Sequence, residues 1–488
     1  MSTRSRKNKK TSRRGNGTFT IINFVLLTLY TILSIIVGLM MYSYNFLAFH
    51  HINLMISCAL VALFFLALLL VIKKKAKLFT MIGLILANLA LAIMLYTFKS
   101  TIDLTAQMNK TAAFSEVEMS VVVPKDSRIS TIKEVDSLEA PKKADESNIS
   151  ELLNHLESVK KVSPQTKEVA SYQDAYQDLK DGTAKAMVMN SAYQALIEQN
   201  DANYKDKVKT IYTYKIKKNI KSTDKPLNKS GVYNLYISGI DTYGAISTVS
   251  RSDVNIIMTV NMNTHKVLLT TTPRDSYVKI PDGGGDQYDK LTHAGIYGVE
   301  TSMKTLENLY GIQIDNYARI NFTTFADLID LLGGIDVQND TAFSANGYDF
   351  PKGTIALNSK QALVFVRERH ALEGGDNDRG KNQEKVITAI INKLSTIKSP
   401  SQASAIITGL QNSVQTNLSL NQMMTIANSQ LENKDSFSVT SQDVTGTGST
   451  GQLPSYAMPG SALYMYKLDD ASVNQAKEAI KAIMEGNE

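Results

Sequence analysis

The stretch VYNLYISGID, Val232–Asp241, follows the lysine-rich polar linker KKNIKSTDKPLNKSG and decides how the C-terminal half of the chain is read. It is apolar almost without interruption and ends on Gly-Ile-Asp, the pattern of a strand covered on both faces. Four further runs repeat it: VNIIMTVN (254–261), KVLLTTTP (266–273), NYARINF (316–322) and ALVFVRER (362–369). Helical periodicity falls between them at about Ile296–Leu309, Phe322–Leu332 and Gly380–Leu394. Strands of this kind alternating with helices predict an α/β/α sandwich around a mixed central sheet over residues 231–398. From 399 to 488 come two helical stretches, a Gly/Thr/Ser-rich loop at Thr445–Gly451, and a last strand and helix, read as an extension packed on that domain.

A smaller α/β domain precedes the linker, within residues 99–221. MSVVVPKDS is a strand running into a turn at Pro124, AKAMVMNSAYQALI a strand followed by a helix, and VKTIYTYKIKK a closing strand. No cluster of its polar side chains makes a chemical site, so it reads as a spacer or interaction domain.

The N-terminal part is of another kind. Residues 1–98 contain no Asp or Glu, and three uncharged apolar runs, about Ile21–Tyr42, Ile52–Ile72 and Leu78–Phe98, each have the roughly 20 residues that span a bilayer core. Arg4, Arg6, Lys7, Lys9, Lys10, Arg13 and Arg14 lie in the 1–18 tail before the first run, and Lys73, Lys74, Lys75 and Lys77 between the second and third. The whole chain is +6, yet from Lys99 onward it is net −5, so its basicity follows membrane topology and suggests no nucleic-acid partner. The positive-inside rule places the N-terminus in the cytoplasm and everything after about residue 99 outside. Two further spans follow the first, and no small-residue cleavage site stands out, which argues against a removable signal peptide. The single cysteine, Cys58, lies in the second run, so no thiol chemistry is expected outside the membrane.

The chemistry is suggested by charge placed where apolar residues belong. In ALVFVRER, alternation puts Phe365, Arg367 and Arg369 on one strand face. The next helix has its apolar stripe at Ile387, Ile390, Ile391 and Leu394; stepping back by four continues it to Gln383 and Arg379, at a helix start that favours anions. Asp241 ends a strand, where α/β sheets bind ligands. Arg251 and Asp253 share a face entering the next strand, and Arg274 follows Pro273. Five arginines at one sheet edge repel one another unless something strongly negative sits among them, and pyrophosphate matches their forked donors. Asp241 and Asp253 suit Mg²⁺ (or Mn²⁺), which takes one or two carboxylates plus phosphate oxygens and waters. Two blander readings stay open: side chains that solvate the sheet's rim, and aspartates that only pair with the arginines.

Other chemistries fail on inventory. There is no GxxxxGK[ST] phosphate loop and no GxSxG elbow, and none of the six histidines has a zinc-ligand spacing. His293 and His370 read as structural.

Five motifs in order, DTYGAISTVSRSDVNIIMTVN, LLTTTPRDSYVKIP, KLTHAGIYG, NYARINFTTFADLIDLLGGIDV and ALVFVRERHALEGGDNDRGKNQ, resemble the LytR-CpsA-Psr family over about Tyr233–Leu394. Three spans with an accessory domain resemble the capsule-type members of this Gram-positive family. The resemblance implies a phosphotransferase that moves a glycopolymer, for this type a capsular polysaccharide, from a polyprenyl-pyrophosphate carrier to peptidoglycan outside the membrane. It implies that Arg251, Arg274, Arg367, Arg369, Arg379 and Gln383 surround the pyrophosphate, that Asp241 and Asp253 hold the metal, and that Arg274, Asp253, Arg367 and Arg369 take part in catalysis. The prenyl chain would enter an apolar groove between sheet and helices. Further partners would be membrane lipid and capsule assembly proteins. Many members carry arginine directly before the last glutamine; here that position is Asn382, beside Lys381, which keeps the charge but not the fork. The rival expectations are a non-catalytic sensor of lipid pyrophosphate that regulates capsule assembly, and a lipid pyrophosphatase.

Overall fold

The computed structural model describes residues 10–220, 231–240, 246–368, 371–372, 376–396, 414–432 and 437–486, in two compact units. Helices α1 (Lys10–Ser43), α2 (Ile52–Ile72) and α3 (Lys77–Ala112) contain three segments long and apolar enough to cross a membrane. Their pattern is inverted relative to a soluble bundle. Val25, Ile35, Leu66, Phe79, Leu89 and Ile93 are each more than half exposed. The polar groups turn inward: Asn23 Nδ2 donates to Lys77 O (2.9 Å), Tyr30 Oη to Leu60 O (2.8 Å) and Asn88 Nδ2 to Leu26 O (3.1 Å). Inward polar glue under an apolar exterior suits helices solvated by lipid.

The second unit opens with the smaller domain: β1 (Phe114–Pro124), β2 (Ser137–Ala140), α4 (Glu146–His155), β3 (Gln165–Glu168), α5 (Tyr172–Lys180), β4 (Met187–Asn190), α6 (Ser191–Asn200), α7 (Tyr204–Lys207) and β5 (Val208–Asn219). Its sheet order is β3-β2-β4-β1-β5. Here Met119, Val121, Leu138 and Val188 are fully or almost fully buried, so this is a real α/β core, as the sequence pattern required.

The larger sheet is built from β6 (Val232–Ile240), β7 (Ser252–Asn261) and β8 (Lys266–Thr271), which pair antiparallel in sequence. The hairpin β9 (Tyr277–Ile280) and β10 (Gln287–Lys290) leads through α8 (Leu291–Ala294) to α9 (Val299–Tyr310). β11 (Asn316–Asn321) then pairs parallel with β6, and α10 (Phe322–Leu331) follows it at once. Asn321 ends the strand and starts the helix: its side chain accepts from Thr324 N while Thr324 Oγ1 accepts from Asn321 N, a reciprocal cap. Two small hairpins follow, β12 (Ile335–Asn339) with β15 (Gly353–Leu357) and β13 (Phe343–Ala345) with β14 (Tyr348–Phe350). α11 (Ser359–Arg367) and α12 (Asp376–Ser395) complete this part.

The C-terminal stretch contributes more than a covering layer. β16 (Gln415–Thr416) and β17 (Ser438–Asp443) are the two edge strands of the central sheet, whose order is β16-β11-β6-β7-β8-β17. The sheet is therefore mixed, as expected. α13 (Leu420–Glu432) belongs to the unit of apolar helices, where Asn428 Nδ2 donates to Asn45 O (2.7 Å). The segment read as a loop at Thr445–Gly451 is instead largely a strand, β18 (Gly446–Thr450), paired with β19 (Tyr464–Leu468) ahead of α14 (Asp470–Glu485). Gly446 permits that pairing, because a Cβ there would stand 2.1 Å from Lys467 O. Glycine in this stretch marks close approach of two backbones, not a free loop.

ALVFVRER is also different from its sequence reading: Ala362 to Arg367 are helical, not a strand. The decisive signal is Asn358-Ser-Lys-Gln361. Asn358 Oδ1 accepts from Gln361 N, and Gln361 Oε1 accepts from Asn358 N, a capping box that starts a helix four residues before the apolar run. The run looked like a strand because both helix faces are covered. Phe365 packs 5.4 Å from Phe343 and from Phe350, while Leu363 and Val366 face a cavity.

Two outcomes follow for stability. Asn358→Ala should cost about 1 kcal/mol, read as a lower urea midpoint for the detergent-solubilised chain at unchanged slope. At Gly295 a Cβ would meet Ser250 O and Ser252 N at 2.6 Å. Gly295→Ala must push that backbone aside, with an expected cost of about 1–3 kcal/mol and a lower calorimetric Tm; an unchanged Tm would contradict the packing described.

Candidate functional site

Strand direction alone gathers the site. β6 and β11 run parallel and β7 opposes β6, so the ends of β6 and β11 meet the start of β7 at one edge. β8 opposes β7 and β17 parallels β8, which brings their ends to the same edge. Arg251 and Asp253 flank the start of β7, and Arg274 stands three residues past β8. Gly239 allows the tight entry, since a Cβ there would lie 2.5 Å from Val254 Cγ2.

Asp253 is the electrostatic centre. Arg274 Nη1 is 2.7 Å from its Oδ1, and Thr292 Oγ1 donates to the same oxygen at 3.2 Å. Burial opposes its ionised form, yet the charges of Arg274, Arg251 and Arg379 hold the carboxyl below the usual carboxylate range. Three of the expected arginines thus converge on one carboxylate. Arg251, Arg379 and Gln383 are each less than a tenth exposed. Guanidinium groups this deeply buried are not simply solvating a rim.

Arg379 and Gln383 lie one turn apart on α12, as the stripe predicted, although the helix begins at Asp376, before Gly380. Gln383 Nε2 donates to Val366 O (3.4 Å) and Asn382 Nδ2 to Phe365 O (3.3 Å), tying α12 to the end of α11. Asn382, where the family pattern departs, therefore serves helix packing and does not line either cavity of the site. Arg367 reaches the site as the last residue of α11, its Cζ 4.1 Å from the centre of the Phe322 ring. Arg367 stands on a helix, not on the strand face assumed for it. Asp241, Arg369 and His370 lie outside the described residues.

Two cavities open on these groups. The larger, about 320 Å³, has Arg251, Arg274, Arg367 and Arg379 among its lining and an apolar flank that includes Ile237, Ile320, Phe325, Leu363 and Val386. Gln199, from α6 of the smaller domain, also lines it. The smaller, about 100 Å³, shares Asp253, Arg274, Arg379 and Gln383 and adds Lys381, Asp443 and Thr271. One end of the pair is cationic and the larger cavity continues as an apolar trough, an arrangement that accepts an anionic head with a hydrocarbon tail.

Several supporting residues were not found from sequence. Arg319, 3% exposed, donates from Nη2 to Thr248 O (2.8 Å) and from Nη1 to Ile246 O (3.3 Å), fixing the loop that leads to Arg251. Burial pulls its pKa down to about 10, still charged at neutral pH. Lys290 Nζ donates to Asp275 Oδ1 (2.8 Å), and Asp275 lies 3.7 Å from Arg274 Nε. Asp289 contacts His293 Nδ1 (2.9 Å) and accepts from Ala457 N (2.7 Å), so His293 is structural as expected. Glu384 and Asp443 form a carboxyl pair beside the smaller cavity. Burial and the neighbouring Asp443 push Glu384 up to about 8; burial also raises Asp443. The signal for Arg319 was its place in the apolar strand NYARINF, where an arginine requires dedicated partners.

Comparison with known proteins gives the family. Residues 185–482 match the family described as LytR_cpsA_psr. A second match, to a DNA polymerase processivity factor over 74–189, begins beside the third apolar helix and stops inside β4, following neither structural unit. The polyisoprenyl-teichoic acid–peptidoglycan teichoic acid transferase TagU of Enterococcus faecalis is 37% identical over 240 residues, 48% of this chain and 77% of that protein. Its Bacillus subtilis counterpart is 31% identical over 260 residues, 53% and 80% of the two chains. Among solved structures, B. subtilis TagU aligns at 30% identity with a TM-score of 0.41, covering 52% of this chain and 96% of that one. TagT bound to LI-WTA aligns at 25% with a TM-score of 0.43, covering 54% and 96%. With the family model covering more than half of its length, this chain belongs to the LytR-CpsA-Psr family.

Proposed function

We propose that this chain is a transferase that moves a glycopolymer, of capsular polysaccharide type, from a polyprenyl-pyrophosphate carrier to peptidoglycan at the outer face of the membrane. The observation that carries the reading is the convergence of Arg251, Arg274 and Arg379 on Asp253 at the cationic end of an apolar cavity. The relatives named as teichoic acid–peptidoglycan transferases support the reaction class. The basic tail and the Lys73–Lys77 loop support a cytoplasmic N-terminus, with both α/β domains outside.

In this reading the pyrophosphate lies among Arg251, Arg274, Arg367, Arg369, Arg379 and Gln383, and the prenyl chain follows the apolar flank. An acceptor hydroxyl attacks the glycan-proximal phosphorus, and lipid monophosphate leaves. Arg274 and Arg367 stabilise the charge that grows on the transferring group and the leaving oxygen, catalysis by positioning and fixed charge. In the same reading Asp253, together with Asp241, would hold Mg²⁺ (or Mn²⁺), which takes one or two carboxylates plus phosphate oxygens and waters. Bound there, the ion would supply neutralising charge to the phosphate oxygens.

The test uses the full-length chain in detergent with a short-chain polyprenyl-pyrophosphate saccharide and peptidoglycan fragments. Saccharide joined to the acceptor, with release of lipid monophosphate, is the expected result. Binding without turnover would make the protein a sensor, and free saccharide phosphate a pyrophosphatase. Arg367→Ala should lower transfer about 10²–10³-fold, the loss typical of one charge-stabilising donor; retained transfer would remove Arg367 from the site. Asp253→Asn separates metal from ion pair. Freed of its carboxylate, the arginine cluster should bind pyrophosphate more tightly than the wild type without Mg²⁺, and titration calorimetry should show no gain on adding the metal. A metal gain equal to the wild type's would exclude Asp253 as a ligand.

A further inference from the structure

Glu384 and Asp443 are the titratable pair for which phosphate binding has no use. Glu384 is 4% exposed and follows Gln383 on α12. Asp443 ends β17 opposite Thr271 of β8. The two carboxyls stand close enough for each to shift the other's ionisation, and Thr271 Oγ1 donates to Glu384 Oε1. Asp443 reaches the wall of the smaller cavity, where Asp253, Arg274, Arg379 and Lys381 also stand, whereas Glu384 does not. Gly380 packs against that wall: a Cβ on it would stand 3.3 Å from Thr271 Cγ2 and 4.0 Å from Asp443 Oδ1.

Two touching carboxyls away from bulk water do not both ionise, so at neutral pH the pair holds one proton. With that proton on Glu384 and shared toward Asp443, Asp443 keeps the charge and presents lone pairs to the cavity. The two cavities differ in what they admit. The larger has the apolar flank that suits a prenyl chain. The smaller, about 100 Å³, takes a hydroxymethyl arm and opens on the same Arg274 and Arg379. A hydroxyl entering it arrives beside Arg274 and Arg379, which line both cavities.

We propose that the smaller cavity admits the acceptor hydroxyl, that Asp443 is the base that takes its proton, and that the neighbouring protonated Glu384 positions Asp443 by donating a hydrogen bond to it. This rests on the transfer reading above. The acceptor O–H bond breaks as its oxygen bonds to the glycan-proximal phosphorus, and the proton passes to the Asp443 carboxylate. The P–O bond to the lipid phosphate breaks, and its electron pair leaves on that oxygen. Proton uptake discharges the pair, so no buried charge is left behind. Lys381 and Lys385 on α12 favour ionised Asp443 and Asp378 opposes it; Thr271 on β8 and Ser441 on β17 contact Glu384 without charge.

The experiment is the transfer assay with the full chain, run across pH together with lipid-pyrophosphate binding. Asp443→Asn should lower kcat by about a hundredfold or more, leave lipid-pyrophosphate binding unchanged and remove the acid limb of the kcat profile. Asp443 must be ionised to act, so wild-type kcat falls as pH drops through its raised pKa. Glu384→Leu removes the donor that favours the ionised form and should move that limb to higher pH; Glu384→Gln, which keeps a donor, should bring it back. Should Asp443→Asn fail to fold, the Glu384 variants decide, since a purely structural Glu384 would leave the limb in place. Transfer by Asp443→Asn close to the wild-type rate, or an unmoved limb in Glu384→Leu, overturns the proposal while the transfer reading stands. A wild type that binds but does not transfer removes both.

Discussion

Everything at this sheet edge depends on one carboxylate, Asp253, standing among guanidinium groups that would otherwise repel each other. Two unit charges at about 4 Å interact by about 4 kcal/mol at the dielectric typical of protein surfaces. Folded chains have only about 5–15 kcal/mol in hand. A cluster of Arg251, Arg274 and Arg379 without counter-charge would therefore consume a large share of the molecule's stability. Asp253 offsets that repulsion through its 2.7 Å contact with Arg274 and is in turn kept ionised by all three. The cluster is thus preassembled, and an arriving pyrophosphate meets arginines already in place.

The scaffold is arranged to hold that cluster. Gly295 lets the turn after α8 press on the backbone at Arg251, and Arg319 ties Ile246 and Thr248 to the central sheet. Lys290 and Asp275 extend the network behind Arg274. None of these side chains lines either cavity. They set where the cavity-lining arginines can be, which is why the site is sensitive to packing at a glycine as well as to charge.

Much of this was legible in the sequence. The four strand runs from Val232 to Phe322, the three membrane-length helices and the stepping of Arg379 and Gln383 all rest on periodicity, which survives folding. The failures have identifiable causes. The five residues Ala362–Val366 are apolar without a break, so period alone could not distinguish helix from strand; the capping box at Asn358 and Gln361 could have. The glycines at 446 and 448 mark a tight strand pair, since a Cβ at 448 would lie 2.2 Å from the Tyr464 hydroxyl. The Glu384–Asp443 pair was invisible because its members are far apart in sequence and meet only through the parallel pairing of β17 with β8.

That pairing changes what the C-terminal segment is for. β17 reads as a weak strand, SVTSQD, with little apolar side chain to bury. It is held by backbone pairing to β8 along Ser438–Asp443 and by Gln442, whose Nε2 donates to Thr270 Oγ1 (2.8 Å) and to Ala476 O on α14 (3.3 Å). Such a strand contributes little core energy, yet it closes the sheet beside Thr271 and carries Asp443 to the cavity wall. Its polar sequence is what an edge strand needs when one end forms part of a site and its outer edge must not recruit another chain. A sheet cut before β17 would keep its arginines and lose Asp443 from the wall of the smaller cavity.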